Sequence, residues 1–258
     1  MLFRSILQTV MGNDLASPNT VGVNAGAGLA VIIAISISPA LIKALPFIAF
    51  LGAFLTLLLI LCTSRSLGGG RSTVILAGIS CTTFFQAAIS FFSIIDTDVL
   101  SMYNSFSVGS FFGISADRLI LPAVLVALGF LASVMLSPSI STLSLGDKVA
   151  AGLGVRVHTI RTLSLALAGV CAASVISYAG LLGFVGLVVP HITKKLAGCE
   201  TRRLLTASPI VGATLVTLSD IAGRTVFAPS EVPVGIVMAF IGAPFFFILL
   251  LKRRGRDA

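Results

Sequence analysis

Long apolar segments alternate with short polar ones along almost the whole chain. About eight of the apolar segments carry no charge at their centres and are long enough, or nearly so, to cross a bilayer core, which takes roughly 20 helical residues. Because a helix in lipid satisfies its backbone groups internally, the pattern predicts an all-α polytopic membrane protein. The predicted spans are Val21–Ile42, Phe47–Ser64, Ser72–Ile95, Leu119–Leu136, Thr162–Tyr178, Phe184–Leu196 (short for a crossing), Leu204–Thr225 and Gly235–Leu251.

Two segments in the N-terminal half predict short helical structure that does not cross the membrane. Residues 1–11 are too short for a span and lack a signal-peptide cleavage site, so we expect the end of a truncated helix there. The stretch SMYNSFSVGSFFG within Asp96–Arg118 can form a short helix at the membrane interface. Its aromatic residues fit the lining of an outer vestibule and an interfacial belt equally well: Tyr103, Phe106, Phe111 and Phe112.

The longest polar, helix-capable segment is LSLGDKVAAGLGVRVHTIR, within a loop predicted at Ser137–Arg161. Asp147 stands where an acid would satisfy the N–H groups and dipole of a helix start. Gly152 and Gly154 stand where a left-handed helix end favours glycine. We therefore predict a short helix, a sharp turn and a second short helix, compact enough to fit a groove on a partner. On composition alone, an ordinary loop between spans is the favoured alternative.

The composition predicts a single membrane domain. Apolar residues make up 57% of the chain and charged residues 10%, against about 25% charged residues in a typical soluble domain. We therefore expect residues 1–258 to form one transmembrane domain without an appended soluble one. Small residues in GVNAGAG, together with Gly183, Gly186 and Gly242, predict close packing between helices.

The net charge of +8 does not predict a nucleic-acid partner, because the basic residues lie in short loops beside spans. Thirteen Lys and Arg residues fall on one side of the predicted bundle and three, Lys43, Arg118 and Arg224, on the other. The positive-inside rule assigns the first side, which carries the loop Ser137–Arg161, to the cytoplasm. With eight spans, both termini then lie in the cytoplasm.

The sequence holds none of the common catalytic signatures. HExxH, GxSxG, Walker A and Rossmann motifs are absent. His158 and His191 are too few for a histidine-based metal site. The four cysteines form no CxxC motif, so small buried hydrophobes describe them better than a disulfide or metal site. We expect no enzyme activity, metal site or cofactor in this chain, and any ATP-driven process needs a partner subunit that hydrolyses the ATP.

Four segments closely resemble one protein family. NDLASPNTVGVNAGAGLAV is followed in order by LSLGDKVAAGLGV, by GLLGFVGLVVPHITKKLAG and by DIAGRTVFAPSEVPVGIVMAFIGAPFFFILLLKRR. With these segments the chain is similar, along nearly its whole length, to the permease subunits of ABC importers for ferric siderophores, haem and vitamin B12.

The resemblance implies a shortened ten-helix permease that pairs with a second permease subunit, identical or related, around a central pathway. It further implies two ATPase subunits on the cytoplasmic face and a substrate-binding protein on the outer face of a bacterial or archaeal cytoplasmic membrane. Closure of the ATPases around ATP would move a coupling helix and switch the pathway between inward and outward access. The residues that match the family's coupling segment are Leu145, Gly146, Asp147, Ala150, Leu153 and Gly154.

Two residues match the family's outer face. Arg224 falls on a docking position that pairs with acids of the binding protein, and such a pair sets register and association rate. Its alternatives are an arginine that extends to the interface or an ion pair with Asp220 at i,i+4 spacing. Glu231 fits the motif SEVPVG either as a contact or as a turn-stabilising residue.

The sequence departs from the family near its N-terminus. Of the two helices that usually precede NDLASP, the first is missing and only Ser5–Met11 remains of the second, and Asp14 replaces a usual proline. An inactive truncated permease is therefore one alternative, an ATPase-independent secondary transporter a second, and a non-transporting scaffold a third. The secondary transporter needs ionisable groups at mid-membrane, which the predicted span centres lack.

Overall fold

The computed structural model describes residues 22–66, 71–198, 200–226 and 228–254. Those residues form eleven α-helices and two short 3-10 helices and contain no strand, which confirms the all-α prediction. The helix end predicted at residues 1–11 and the NDLASPNT segment lie outside the described residues. The helices are α1 Val23–Ile37, α2 Leu45–Ser66, α3 Arg71–Ile95, α4 Thr97–Val108, α5 Ile120–Met135, α6 Ser137–Ser144, α7 Asp147–Gly152, α8 Val157–Ala179, α9 Val185–Ala197, α10 Thr201–Thr225 and α11 Val234–Arg254.

Several helices can cross a membrane. α5 and α6 together are long and apolar enough for one further crossing, although their axes differ by 61°. Val23–Ile37 and Val234–Ile248 are apolar but shorter. The prediction of a polytopic membrane protein is confirmed, whereas the number of eight crossings stays a prediction. Four stretches of the described residues are long and apolar enough by themselves: Ala40–Thr63, Ser72–Ile95, Val157–Ala179 and Thr201–Thr225.

α8 is the most enclosed of these candidate spans. In its apolar stretch 61% of the residues are buried, against 28% in Ala40–Thr63 and 17% in Ser72–Ile95. It packs against α1, α2 and α5, and a methyl group added at Gly169 would overlap Leu57 of α2. α8 therefore lies at the centre of the described bundle, in contact with several other helices.

Glycines bring α1 and α2 close together. A methyl group at Gly26 would overlap the side chain of Thr56, and one at Gly52 would overlap the side chain of Ala30. The backbones can approach this closely because neither glycine carries a side chain. The close packing predicted for GVNAGAG is confirmed.

A second, smaller core joins α9, α10 and α11. A methyl group at Gly242 would overlap Phe184, as its predicted packing role requires. Nothing lies within 4 Å of the corresponding position at Gly183, so the packing role predicted for Gly183 is wrong. The buried residues of this cluster are Val185, Val189, Val234 and Met238.

Two predicted span boundaries are wrong for identifiable reasons. α1 ends at Ile37, before the predicted Ile42, because Ser38 precedes Pro39 and has an extended backbone (φ −161°, ψ 123°), as a residue before proline prefers. α8 starts at Val157 instead of Thr162. Hydropathy misplaced that start because Arg161 is charged, yet its side chain is buried and paired.

The loop predicted at Asp96–Arg118 contains the expected short helix, α4. The Asp96 carboxylate accepts hydrogen bonds from the N–H groups of Asp98 (2.8 Å) and Val99 (3.3 Å) and so caps the helix start. The helix ends at Gly109, whose φ of 76° lies in the left-handed region that favours glycine.

Candidate coupling surface and cleft

The segment Ser137–Arg161 was predicted as a single loop but consists of α6, α7 and the start of α8. α6 leaves the axis of α5 by 61°, because Pro138 in its first turn lacks an N–H group and its ring clashes with the carbonyl four residues earlier. α7 is the short helix predicted from Asp147 onward. The second short helix is wrong, since the turn after α7 leads directly into the long α8.

One face of this turn is apolar and exposed. Leu145 just before α7, Val149 within it and Leu153 just after it are 63%, 50% and 65% exposed. Lys148, which is also exposed, lies beside them. The three exposed apolar side chains are called the apolar strip below.

The opposite face of α7 is anchored in the bundle. Ala150 is fully buried and belongs to the main core together with Ile140 and Leu143 of α6. Val155, just after α7, packs against the same core. α7 therefore presents one face to its own bundle and the other to its surroundings.

Glycines define both ends of α7. Gly146 precedes it with φ 110° and Gly154 follows it with φ 82°. The N–H of Gly154 donates to the carbonyl of Ala151, and the N–H of Val155 donates to that of Ala150, both at 3.0 Å, which is the Schellman pattern of helix ends. The predicted left-handed end is confirmed at Gly154, whereas Gly152 is the last residue of the helix itself.

An ion pair joins α7 to α8. Arg161 Nη2 lies 2.6 Å from Asp147 Oδ1, with side-chain exposures of 6% for Arg161 and 45% for Asp147. Asp147 is in the first turn of α7, where a negative charge also complements the helix dipole. Sequence reasoning missed this role of Arg161, because fourteen positions separate the partners and no local pattern connects them.

The residues predicted for coupling all lie in this turn and fall into three groups. Leu145 and Leu153 are exposed leucines. Gly146 and Gly154 are glycines with positive φ. Asp147 and Ala150 hold the turn against the bundle. Sequence reasoning missed Val149, which is 50% exposed within the same turn.

The second candidate surface is an open cleft of about 1040 Å³. It is bounded by α4, the end of α10, residues 229–233 and the start of α11. Arg224 and Glu231 both line it, so the two residues predicted for docking share one surface. Arg224 Nε also lies 2.9 Å from Asp220 Oδ2, which confirms the i,i+4 ion pair weighed as an alternative. Docking itself stays a prediction.

The aromatic residues of the outer segment have separate places. Phe112 lines the cleft and is 69% exposed. Tyr103 is 8% exposed, burial raises its pKa, and a methyl group at Gly28 of α1 would come within 2.9 Å of its hydroxyl oxygen. Tyr103 therefore supports α4 from the core side, and both roles weighed for it, in a vestibule and in an interfacial belt, are wrong.

α8 connects the two surfaces. It begins just beyond the α7 turn and ends at Ala179, whose carbonyl accepts a hydrogen bond of 3.0 Å from the N–H of Ser110 in the cleft wall. Its 23 residues span roughly 34 Å at about 1.5 Å per residue. Within the described residues, no three His, Cys, Asp or Glu side chains lie close enough together to hold a metal ion.

Comparisons with known proteins agree along the chain. A model of the FecCD transport family matches residues 5–252. The chain is 34% identical over 247 residues to the Fe(3+)-citrate import system permease protein YfmE of Bacillus subtilis, which covers 95% of this chain and 74% of that protein. It is 30% identical over 256 residues to the hemin transport system permease protein HmuU of Yersinia pestis, with 97% and 77% covered.

The fold agrees over the same length. A solved chain in an inward-facing conformation, assigned to the metal-chelate type of ABC transporter, superposes with a TM-score of 0.88 at 30% identity and covers 97% of this chain and 82% of that one. A family model that spans almost the whole sequence and a fold that matches at this level give one conclusion: the chain belongs to the FecCD transport family.

Proposed function

We propose that this chain is the permease subunit of an ATP-driven importer whose substrate is an iron chelate of the siderophore, citrate or haem class, or a comparably bulky cobalamin. Family membership supports the proposal, as do relatives that serve Fe(3+)-citrate and hemin systems. The observation that carries it is the apolar strip, because a permease driven by a separate ATPase needs a contact surface at the end of its spans.

In this proposal residues 1–258 form one domain in the cytoplasmic membrane, with eight crossings and both termini in the cytoplasm. The α7 turn faces the cytoplasm and the cleft faces outward. The positive charges beside the coupling end, such as Lys148, Lys194 and Lys195, support that orientation. α3 is 17% buried in its apolar stretch, which leaves a face for lipid and for a second, identical or related permease subunit.

Two ATPase subunits would each take one α7 turn into a groove. Burying a leucine side chain contributes about 1.5–3 kcal/mol, so Leu145, Val149 and Leu153 supply most of the contact energy before the costs of association. The chain carries no Walker A motif, and in this proposal ATP is bound and hydrolysed by the ATPase subunits while the permease holds no cofactor. Closure of the ATPases displaces the turn and switches access to the pathway.

The cleft would receive a substrate-binding protein. Arg224 donates one N–H to Asp220 and is 41% exposed at its side chain, and a guanidinium has five N–H groups. It can therefore pair with an acid of the partner without giving up its own ion pair. Glu231 offers an opposite charge in the same cleft, which would help to fix the orientation of the partner.

The coupling assignment is tested by co-purification of the full chain with its ATPase subunit in detergent. The wild type should bind, and the double variant Leu145→Asp/Leu153→Asp should lose binding while keeping its helical circular dichroism and a single elution peak. Leu196→Asp is the matched control, because Leu196 is a 74% exposed leucine next to lysines at the end of α9. A well-folded wild type that binds no ATPase would refute the proposal.

The substrate class is tested by uptake of radiolabelled iron into cells that depend on this permease. Ferric citrate, a ferric hydroxamate and haem are offered separately, cobalt-labelled cobalamin is offered in a parallel assay, and cells that carry the double variant give the background. Uptake of at least one chelate above that background is expected. Equal counts in both strains for every chelate would contradict the proposed substrate class. The contact with the ATPase is tested separately by the co-purification.

A further inference from the structure

The buried member of the Asp147–Arg161 pair constrains how α7 can move. Arg161 is 6% exposed at its side chain, whereas Asp147 is 45% exposed. Desolvation of an unpaired ion is very unfavourable, so the short contact with Asp147 stabilises the buried Arg161 charge in its present place. A shift of α7 that left Arg161 behind would separate the pair, so α7 and the start of α8 are expected to move together.

The apolar attachments of α7 are small compared with this charge. The helix has six residues, and its one buried side chain is that of Ala150, which contributes little apolar area. The helix contacts α6 before it and α8 after it. Besides these apolar contacts, a charge-assisted hydrogen bond of 2.6 Å fixes both the distance and the direction between α7 and α8.

The far end of α8 is joined to the cleft by backbone contacts. Ser110 donates its N–H to the carbonyl of Ala179 (3.0 Å), and Leu181 donates to the carbonyl of Phe106 (3.4 Å). Gly180, with φ 70°, fits closely here, since a methyl group on it would overlap the Phe106 carbonyl oxygen and reach 3.0 Å from the Cα of Gly109. A movement of α8 is therefore transmitted to the wall of the cleft.

We propose that Arg161 is a positioning residue for coupling: its ion pair with Asp147 makes α7 and α8 move as one body, so that displacement at the ATPase contact reaches the outer cleft. The proposal deepens the proposed function and rests on it. Without the pair, α7 still binds the ATPase through the apolar strip, but the displacement is no longer passed on in full.

The chain offers a matched control at the same end of the bundle. Arg203 Nε lies 2.8 Å from Glu200 Oε2, and the side chains are 71% and 57% exposed. Both residues belong to the start of α10, three positions apart, so this pair joins no two elements. Removing it tests the loss of an arginine charge without the loss of a link between helices.

The test uses the full chain in complex with its ATPase subunit, with a spin label at Asn104→Cys, an exposed position of the cleft wall, in a background without other reactive cysteines. The probe is MgATP with vanadate, which holds the ATPases closed. The wild type is expected to change its label spectrum on trapping. Arg161→Gln should still co-purify with the ATPase and hydrolyse ATP at a similar basal rate, but its spectral response should fall roughly five-fold or more, a common size for coupling between sites.

Three further variants separate positioning from folding. Asp147→Asn should reduce the response like Arg161→Gln, the charge swap Asp147→Arg/Arg161→Asp should restore much of it, and Arg203→Gln should respond like the wild type. Arg161→Lys replaces Arg161→Gln if that protein does not fold, and an intermediate response is expected. A full spectral response in Arg161→Gln or Asp147→Asn would overturn the proposal, and so would the absence of a response in the wild-type complex. Failure of the wild type to bind the ATPase would refute the proposed function instead.

Discussion

The two ends of α8 are built in opposite ways. At the α7 end the surface carries the apolar strip, and its contacts with the bundle include the Asp147–Arg161 ion pair and the buried Ala150. At the other end the surface is a concave cleft with Arg224, Asp220 and Glu231 in its lining, and it is held by backbone hydrogen bonds and glycine contacts. The contacts that hold the first end include a side-chain ion pair between two helices, whereas the second end is joined to the cleft wall by its backbone.

The largest effect is expected at the backbone contact of the outer end. Gly180→Ala places a methyl group on the Phe106 carbonyl oxygen at a left-handed backbone position, and we expect a loss of about 2–4 kcal/mol from strain and overlap. The thermal unfolding midpoint in detergent measures it. Gly183→Ala is the control, because it has open space around it. Equal midpoints for the two variants would mean that the outer end is not held in this way.

A smaller loss is expected at the inner face of α7. Ala150 is fully buried, so Ala150→Leu overpacks its site and should destabilise the turn by about 1–3 kcal/mol. Ala151→Leu adds the same atoms at an exposed neighbour and should be close to neutral. Hydrogen exchange of the peptide that spans residues 140–155 reports the difference, and equal protection in both variants would contradict the inward orientation of Ala150.

The two glycines at the end of α7 should respond with opposite signs. Gly154→Ala puts an alanine at φ 82° and should lower the stability of the turn by about 1–2 kcal/mol. Gly152→Ala lies inside the helix with no atom within 4 Å of the added carbon and should raise it by about 0.5–1 kcal/mol. Local hydrogen exchange distinguishes them, and the same sign for both would refute the observed helix end.

The smallest effect on stability is expected at the cleft. Arg224 and Asp220 are partly exposed, and such pairs contribute about 0–1 kcal/mol, so Arg224→Gln should leave the unfolding midpoint nearly unchanged. It should instead slow association with the substrate-binding protein at low salt and have little effect at high salt, where the charge is screened. An association rate that is unchanged at low salt would remove Arg224 from the docking surface.

The sequence alone predicted the spans whose ends coincide with a change from apolar to polar residues. α3 and α10 lie close to their predicted bounds for that reason. The first span was predicted to end too late because mostly apolar residues continue past Pro39 to Ile42. Hydropathy does not register the backbone restriction that proline imposes on Ser38. α8 was started too late because a charged residue was assumed to lie outside a helix that in fact contains it.

The sequence predicted where the candidate site lies but not which contacts hold it together. The coupling residues were located by their resemblance to a family motif, and the helix end at Gly154 followed from general rules for glycine. The link between Asp147 and Arg161 depends on how α7 folds back on α8, which no local pattern contains. In the same way, only tertiary contacts distinguish Gly180, which must be glycine, from Gly183, which has open space around it.

The most direct measurement is site-specific photo-cross-linking from the two ends of α8 in the assembled complex. A photoreactive amino acid replaces Val149 of the apolar strip in one protein and Phe112 of the cleft in another, since both side chains are exposed. We expect Val149 to cross-link to the ATPase subunit and Phe112 to the substrate-binding protein. Cross-linking of the ATPase from Phe112 and not from Val149 would contradict the assignment of the two surfaces.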